Sequence, residues 1–204
     1  MGLLDILLGR TKPVAPDLDQ LFALPSAAVT LEAAAGFTPT GQGAVCFATV
    51  EGSAFEQTHR EVQALLDADT ERTGPPVRLL RDDYGYSWLV SERTPDQLAL
   101  LVNDLHAVNS AMEVNGFGPQ LLCSLAGFER AAEAAAGTGP AAGQRLALVY
   151  LYKRGAYYPF APLPGTGQRR DNALELQVKA ALANDLRIEQ DLSRWFPVWG
   201  APGL

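Results

Sequence analysis

The chain has 204 residues, 48% hydrophobic and 19% charged, enough for one packed core and far from the composition of a disordered polymer. Its 23 acidic residues outnumber 16 basic ones, and a formal charge of −7 excludes a general nucleic-acid binder, since neutralising phosphates takes a basic stripe. Two cysteines (Cys46, Cys123) and two histidines (His59, His106) lack metal-ligand spacing. Nor do two cysteines make a disulfide framework, although a single bridge stays open in principle.

MGLLDILLGR opens the chain. On a helical wheel Leu3, Leu4, Ile6, Leu7 and Leu8 share a broad face opposite Asp5 and Gly9, which predicts a short amphipathic helix. Only Arg10 and Lys12 supply positive charge nearby, so Leu4, Leu7 and Leu8 are expected to dock on the body or on a partner rather than in a membrane. Residues 1–8 lack the basic start and long apolar stretch of a signal peptide, and no apolar run approaches the ~20 residues of a spanning helix. The expectation is a cytoplasmic protein with no direct membrane insertion. TKPVAP is a linker, which divides the chain into residues 1–16 (helix and linker) and 17–204 (a single α+β domain).

Asp17 is placed to cap a short helix, and Ser26 a second one ending at Gly36. FTPTGQG reads as a turn-rich connection into a strand over 44–50. A helix from Ser53 buries Phe55, Val62, Leu65 and Leu66 and leaves His59 solvated among polar neighbours. After Pro75-Pro76, strands are expected over 77–80 and 84–91, the second alternating Tyr84, Tyr86 and Trp88 on one face. Thr94, Pro95 and Gln97 have the form of a capping box before a helix carrying Leu98, Leu101, Val102, Leu105 and Val108. A strand over 120–126 follows, and then an Ala/Gly-rich loop between Arg130 and Gln144.

LALVYLYKRGAYYPFAP comes next, with four of the six tyrosines. Its unbroken apolar run over 146–152 suits a strand covered on both faces, and Lys153-Arg154-Gly155 suits a hairpin turn. Pro159 and Pro162 mark an edge or the end of pairing. A core strand leading to a cationic, aromatic tip makes Tyr152, Lys153, Arg154, Tyr157, Tyr158 and Phe160 candidate partner-binding residues. Reversing both Lys153 and Arg154 is expected to leave stability nearly unchanged, as exposed charges contribute roughly 0–1 kcal/mol each. Arg169-Arg170 is weighed as a second half of an anion site against two separate solvated loops. Asp171 or Asn172 caps a last helix, and Trp195, Phe196 and Trp199 are too apolar for a free tail, so they clamp onto the body.

These elements predict an α+β fold with an antiparallel sheet of about five or six strands and helices packed on one face. GTGPAAG, GTGQ and GFGPQ have neither the Gly-Lys-Ser/Thr ending of a phosphate loop nor a dinucleotide fingerprint in its strand-to-helix setting. A Cys123–His106 nucleophile pair needs an orienting third group and a cleft, and Asp82-Asp83 on a turn is poorly desolvated for acid–base work. A non-enzymatic protein is expected, with no catalytic, cofactor-binding or metal residues and no cofactor.

MGLLDILLGRTKPV, LPSAAVTLEAAAGFTPTGQGAVCF, DDYGYSWLV, GFGPQLLCSL, LVYLYKRGAYYPFAP, RRDNALELQVKAAL and RWFPVW together resemble the PspA-associated protein family PspAB, small bacterial proteins. The resemblance spans almost the whole chain. It implies an accessory protein that associates with PspA, a coiled-coil protein of the phage-shock envelope-stress response, at the inner face of the membrane through that partner. The alternative is a small-ligand-binding or enzymatic α+β domain with a pocket between sheet and helices.

Overall fold

The computed structural model describes residues 16–130, 143–165 and 167–204. The expected helix of Leu4, Leu7 and Leu8 and most of the Ala/Gly-rich loop lie outside these residues. Six strands form one antiparallel sheet: β1 (Phe37–Ala48), β2 (Arg78–Arg81), β3 (Tyr86–Glu92), β4 (Leu121–Arg130), β5 (Arg145–Leu151) and β6 (Ala156–Phe160), in the order β2-β3-β1-β4-β5-β6. Among the described residues there are four α-helices: α1 (Leu24–Ala35), α2 (Ser53–Asp67), α3 (Leu98–Val114) and α4 (Asn172–Ala181). The fold is α+β, and β6 with its Pro159 is an edge strand, where a missing amide donor is tolerated.

Register assigns each side chain to a face. Val45 stands opposite Leu89 and Ser124, and Ser124 opposite Tyr150 and so Tyr157 beyond it. This face meets the helices: Asn109 of α3 donates to Ser124 Oγ at 2.8 Å, and Tyr150 donates to the Asp17 carbonyl at 2.8 Å. Gly43 lets α3 come close, since a Cβ there would lie 2.9 Å from the Leu125 carbonyl oxygen and 3.1 Å from the Leu101 side chain. The alternate residues Trp88, Cys46, Cys123 and Leu151 form a row across the opposite face. That face is covered by the C-terminal segment: Trp195 stacks on Tyr158 (centroids 6.0 Å apart), and Trp199 meets Phe160 edge-on at 4.9 Å.

One buried carboxylate ties α3 to the sheet and to the segment after α2. Asp104 accepts from Ser91 Oγ at 2.6 Å, Arg72 Nη2 at 2.8 Å, and Arg93 Nε and Nη2 at 2.8 and 2.7 Å. All three charged side chains are at most 4% exposed. Arg72 also donates to the Leu66 and Glu92 carbonyls, and Arg93 to Asp69 at 2.7 Å. The Asp104 hydrogen bond outweighs burial and pushes the Arg93 guanidinium up.

Several local expectations are corrected. FTPTGQG is not a turn but the first half of β1, paired with β4 through a register shift between Pro39 and Gly43, so its glycines and proline mark a bulge. Ser26 caps nothing, because a 3₁₀ turn (Leu18–Ala23) runs directly into α1 at Leu24 and places Pro25 in the first helical turn. Asp17 and Thr94 make no side-chain cap either, whereas Asp171 does cap α4 by accepting from Leu174 N at 3.0 Å. His59 is buried, with Nδ1 3.1 Å from the Phe55 carbonyl and its ring against Phe55, because its face of α2 packs inward. Leu65 is exposed, and Tyr84 sits in the β2–β3 turn rather than in the strand.

Removing the Asp104 carboxylate strands two buried guanidiniums, a change that costs about 3–5 kcal/mol for a buried pair broken on one side. Asp104→Ala should therefore lower the urea unfolding free energy by that amount. Arg60→Ala, which breaks an exposed pair with Glu56 on α2, should change it by less than ~0.5 kcal/mol.

Candidate functional site

The candidate hairpin is built as a core strand, a short turn and an edge strand. Leu151 leads into a 3₁₀ turn (Tyr152–Arg154), and Gly155 closes it in the left-handed region at φ +58. Any larger residue there would be strained, and its Cβ would press on Asp17 at 3.3 Å from that residue's own Cβ.

The aromatic side chains point inward. Tyr157, Tyr158 and Phe160 are fully buried and Tyr152 is nearly so, which corrects the expectation of an aromatic tip. Their phenols act as ties. Tyr152 donates to Glu113 Oε1 at 2.9 Å, Tyr157 to the Gln20 carbonyl at 3.2 Å, and Tyr158 to the Phe196 carbonyl at 2.7 Å. A phenol combines a large apolar ring with one polar group that burial obliges to pair, so tyrosine suits a strand whose neighbours offer free carbonyls. Among the described candidate residues only Lys153 and Arg154 reach solvent. Arg154 is committed in part: its Nε donates to Glu189 at 2.8 Å, and that carboxylate is 5% exposed as a residue. Burial would raise Glu189, but the Asp191 amide and Arg154 hold it below the usual carboxylate range. Lys153 has no ion-pair partner among the described residues.

Beside the hairpin lies a cavity of about 750 Å³ on the sheet face away from the helices. The row Trp88, Cys46, Cys123 and Leu151 forms its floor, one side chain from each of four adjacent strands. Phe196, Pro197, Val198 and Trp199 form one wall, and Tyr84 and Tyr86 the far end. Asp82 is fully engaged there: Oδ1 accepts from the Tyr84 and Tyr86 amides at 2.9 Å, and Oδ2 from Trp88 Nε1 at 2.8 Å. Lys153, Arg154 and Arg194 border the other end. The tail is thus half clamp and half wall, for Trp195 is buried whereas Phe196 is 59% exposed.

The remaining candidates separate. Cys123 faces the cavity, while His106 lies on the helix side against Phe22, ring centroids 4.9 Å apart, so the two do not form a pair. Cys46 and Cys123 stand opposite each other across β1 and β4, both free. Hydrogen bonding to Cys123, together with burial, pushes the Cys46 thiol up, which makes it a poor nucleophile. Arg170 is not a second half of the Lys153–Arg154 site: it pairs with Glu175 at 2.8 Å, donates to the Trp195 carbonyl at 2.7 Å and lies over the Phe160 ring. Sequence reasoning offered a pocket between sheet and helices and missed this cavity on the opposite face and Arg194, because the floor gathers side chains from strands far apart in the chain and its wall comes from an irregular segment. The one available signal was the period-two spacing that puts Tyr86 and Trp88 on one face.

The geometry defines a class: an α+β domain whose sheet carries helices on one face and, on the other, an apolar pocket with a cationic end. A family model described as PspA associated protein B (PspAB) matches residues 1–203. The chain belongs to this family. No curated protein and no solved structure matched it. Among the described residues no helix is long and apolar enough to cross a membrane.

The buried phenols carry a pH prediction. Burial pushes Tyr150 up to about 12 and raises Tyr152, Tyr157 and Tyr158 as well. A raised folded-state value means that stability is intact below the unfolded value near 10 and is lost as pH rises above it. In that window each such tyrosine removes about 1.4 kcal/mol per pH unit. Thermal midpoints should be level between pH 7 and 9 and fall steeply above pH 10, with phenolate absorbance from these four rings rising only on unfolding.

Proposed function

We propose that this protein is a non-enzymatic accessory protein that binds PspA, with the β5–β6 turn as the contact and an envelope-stress response as the setting. Family membership over residues 1–203 supports association with PspA. One observation carries the choice of surface: Lys153 is an exposed cation without an ion pair among the described residues, on a turn held by buried tyrosines at the mouth of an apolar pocket. A turn held in place loses little conformational freedom on binding, and an unpaired cation brings no competing carboxylate. An amphipathic coiled-coil surface with acidic residues beside apolar ones complements this arrangement. Such a contact would hold the protein at the inner face of the membrane through its partner.

The charge-reversal test must respect Arg154. Replacing it with Glu would set a second carboxylate against buried Glu189, so the double reversal is destabilising rather than neutral, contrary to the expectation from sequence. Lys153→Glu is the clean probe. In titration calorimetry with purified PspA it should weaken binding about tenfold, with thermal stability within a degree or two of the parent. Arg60→Glu, on α2 at the helix side, should leave affinity unchanged. Undiminished affinity in Lys153→Glu removes the turn from the interface.

A further inference from the structure

The cavity behind the turn has a shape and charge layout that PspA association does not call for. Its floor is one continuous row, Trp88–Cys46–Cys123–Leu151, spanning four adjacent strands of one register. At ~4.8 Å between strands the row is ~14 Å long. Along it the one strong donor, Trp88 Nε1, is already bonded to Asp82 Oδ2 at 2.8 Å, and the other side chains are two free thiols and a leucine. Nothing along the floor solicits a hydrogen bond from a ligand, so the body that fits there is apolar.

The positive charge is confined to one end. Arg154 and Arg194 are drawn together by one short segment: Arg154 donates to Glu189 Oε2, the Asp191 amide donates to Glu189 Oε1 at 3.0 Å, and Arg194 Nε donates to Asp191 Oδ2 at 3.0 Å. Both arginines hold their carboxylates through Nε, which leaves their terminal N–H groups uncommitted among the described residues, and Lys153 stands beside them without a partner there. The acid at the opposite end, Asp82, is consumed by three donors. We propose that this cavity is a binding site for an amphiphile with one anionic head group, a carboxylate or a phosphate, held at Lys153 and Arg194, and a linear apolar body laid along the Trp88–Leu151 row. A volume of about 750 Å³ lies in the range of small-molecule sites, and the layout of a mostly apolar pocket with a few convergent polar groups at one place is the usual one.

The test needs no PspA, so its failure and that of the proposed association are read separately. The full-length protein is titrated with myristate, with tetradecyl phosphate and with the neutral myristyl alcohol, followed by tryptophan fluorescence. Alkylation of Cys123 by a maleimide is timed with and without each probe by mass spectrometry. Expected are saturable one-to-one binding of the anionic probes, at least fivefold slower alkylation of Cys123, and about tenfold weaker anion binding in Lys153→Gln/Arg194→Gln with alcohol binding unchanged. Arg154 stays in place because Glu189 depends on it. Vesicles of phosphatidylglycerol and of phosphatidylcholine separate a free amphiphile from a head group in a bilayer: protection of Cys123 by the anionic vesicles assigns the site to lipid, and protection by the monomeric probes alone to a free acid or phosphate. Equal affinity for acid and alcohol, or Cys123 as reactive with every probe as without, overturns the proposal, and vesicle binding with Cys123 unprotected does the same.

Discussion

A sheet whose central strands are apolar on both faces must be covered twice, and this chain covers it unequally. β1, β4 and β5 are buried along most of their length, so neither face tolerates water. α3 and the turn before α1 meet one face. The other receives only an irregular C-terminal segment, fixed by the Trp195–Tyr158 stack, the Trp199–Phe160 contact and the bond from Tyr158 to the Phe196 carbonyl. The area that this segment fails to reach is the cavity. Site and core are therefore one packing problem, and each side chain of the floor serves both.

The same inequality explains the tyrosines of the hairpin. Tyr150 and Tyr157 point to the helix face and end on carbonyls of Asp17 and Gln20, at the turn that precedes α1. Tyr158 points the other way and ends on the tail. The hairpin thus pins the first described segment to one face of the sheet and the last to the other. A charged residue at any of these positions would break a tie between segments more than a hundred residues apart or, for Tyr158, 38 apart. What remains for a partner is the turn itself, where Lys153 is the one side chain of the candidate set with neither burial nor a bond among the described residues to occupy it.

Legibility followed the range of the interactions. The continuous run before Lys153 marked a doubly covered strand, Pro159 marked an edge, and Gly36 and Asp171 marked helix ends, all from local backbone chemistry. His59 misread because local polarity says nothing of which neighbour packs over a helix. FTPTGQG misread because a bulged strand and a turn use the same residues. The Asp104 cluster left no trace, since its members come from separate stretches of the chain and charged residues normally read as surface. The hairpin was singled out correctly as a place of dense aromatic and cationic character, but composition cannot tell which side of a strand a ring occupies. The family resemblance identified what no local pattern could, because its words are distinctive only in combination.

On the proposed function, the turn end of the tail-covered face is the working surface and the helix side is structural. Hydrogen–deuterium exchange of the full-length protein, with and without PspA, tests this most directly. Slowed exchange on adding PspA should concentrate at residues 152–155 and 191–199, with α1 and α3 unchanged. Protection confined to α1 and α3, with the turn and tail exchanging as in the free protein, would contradict it.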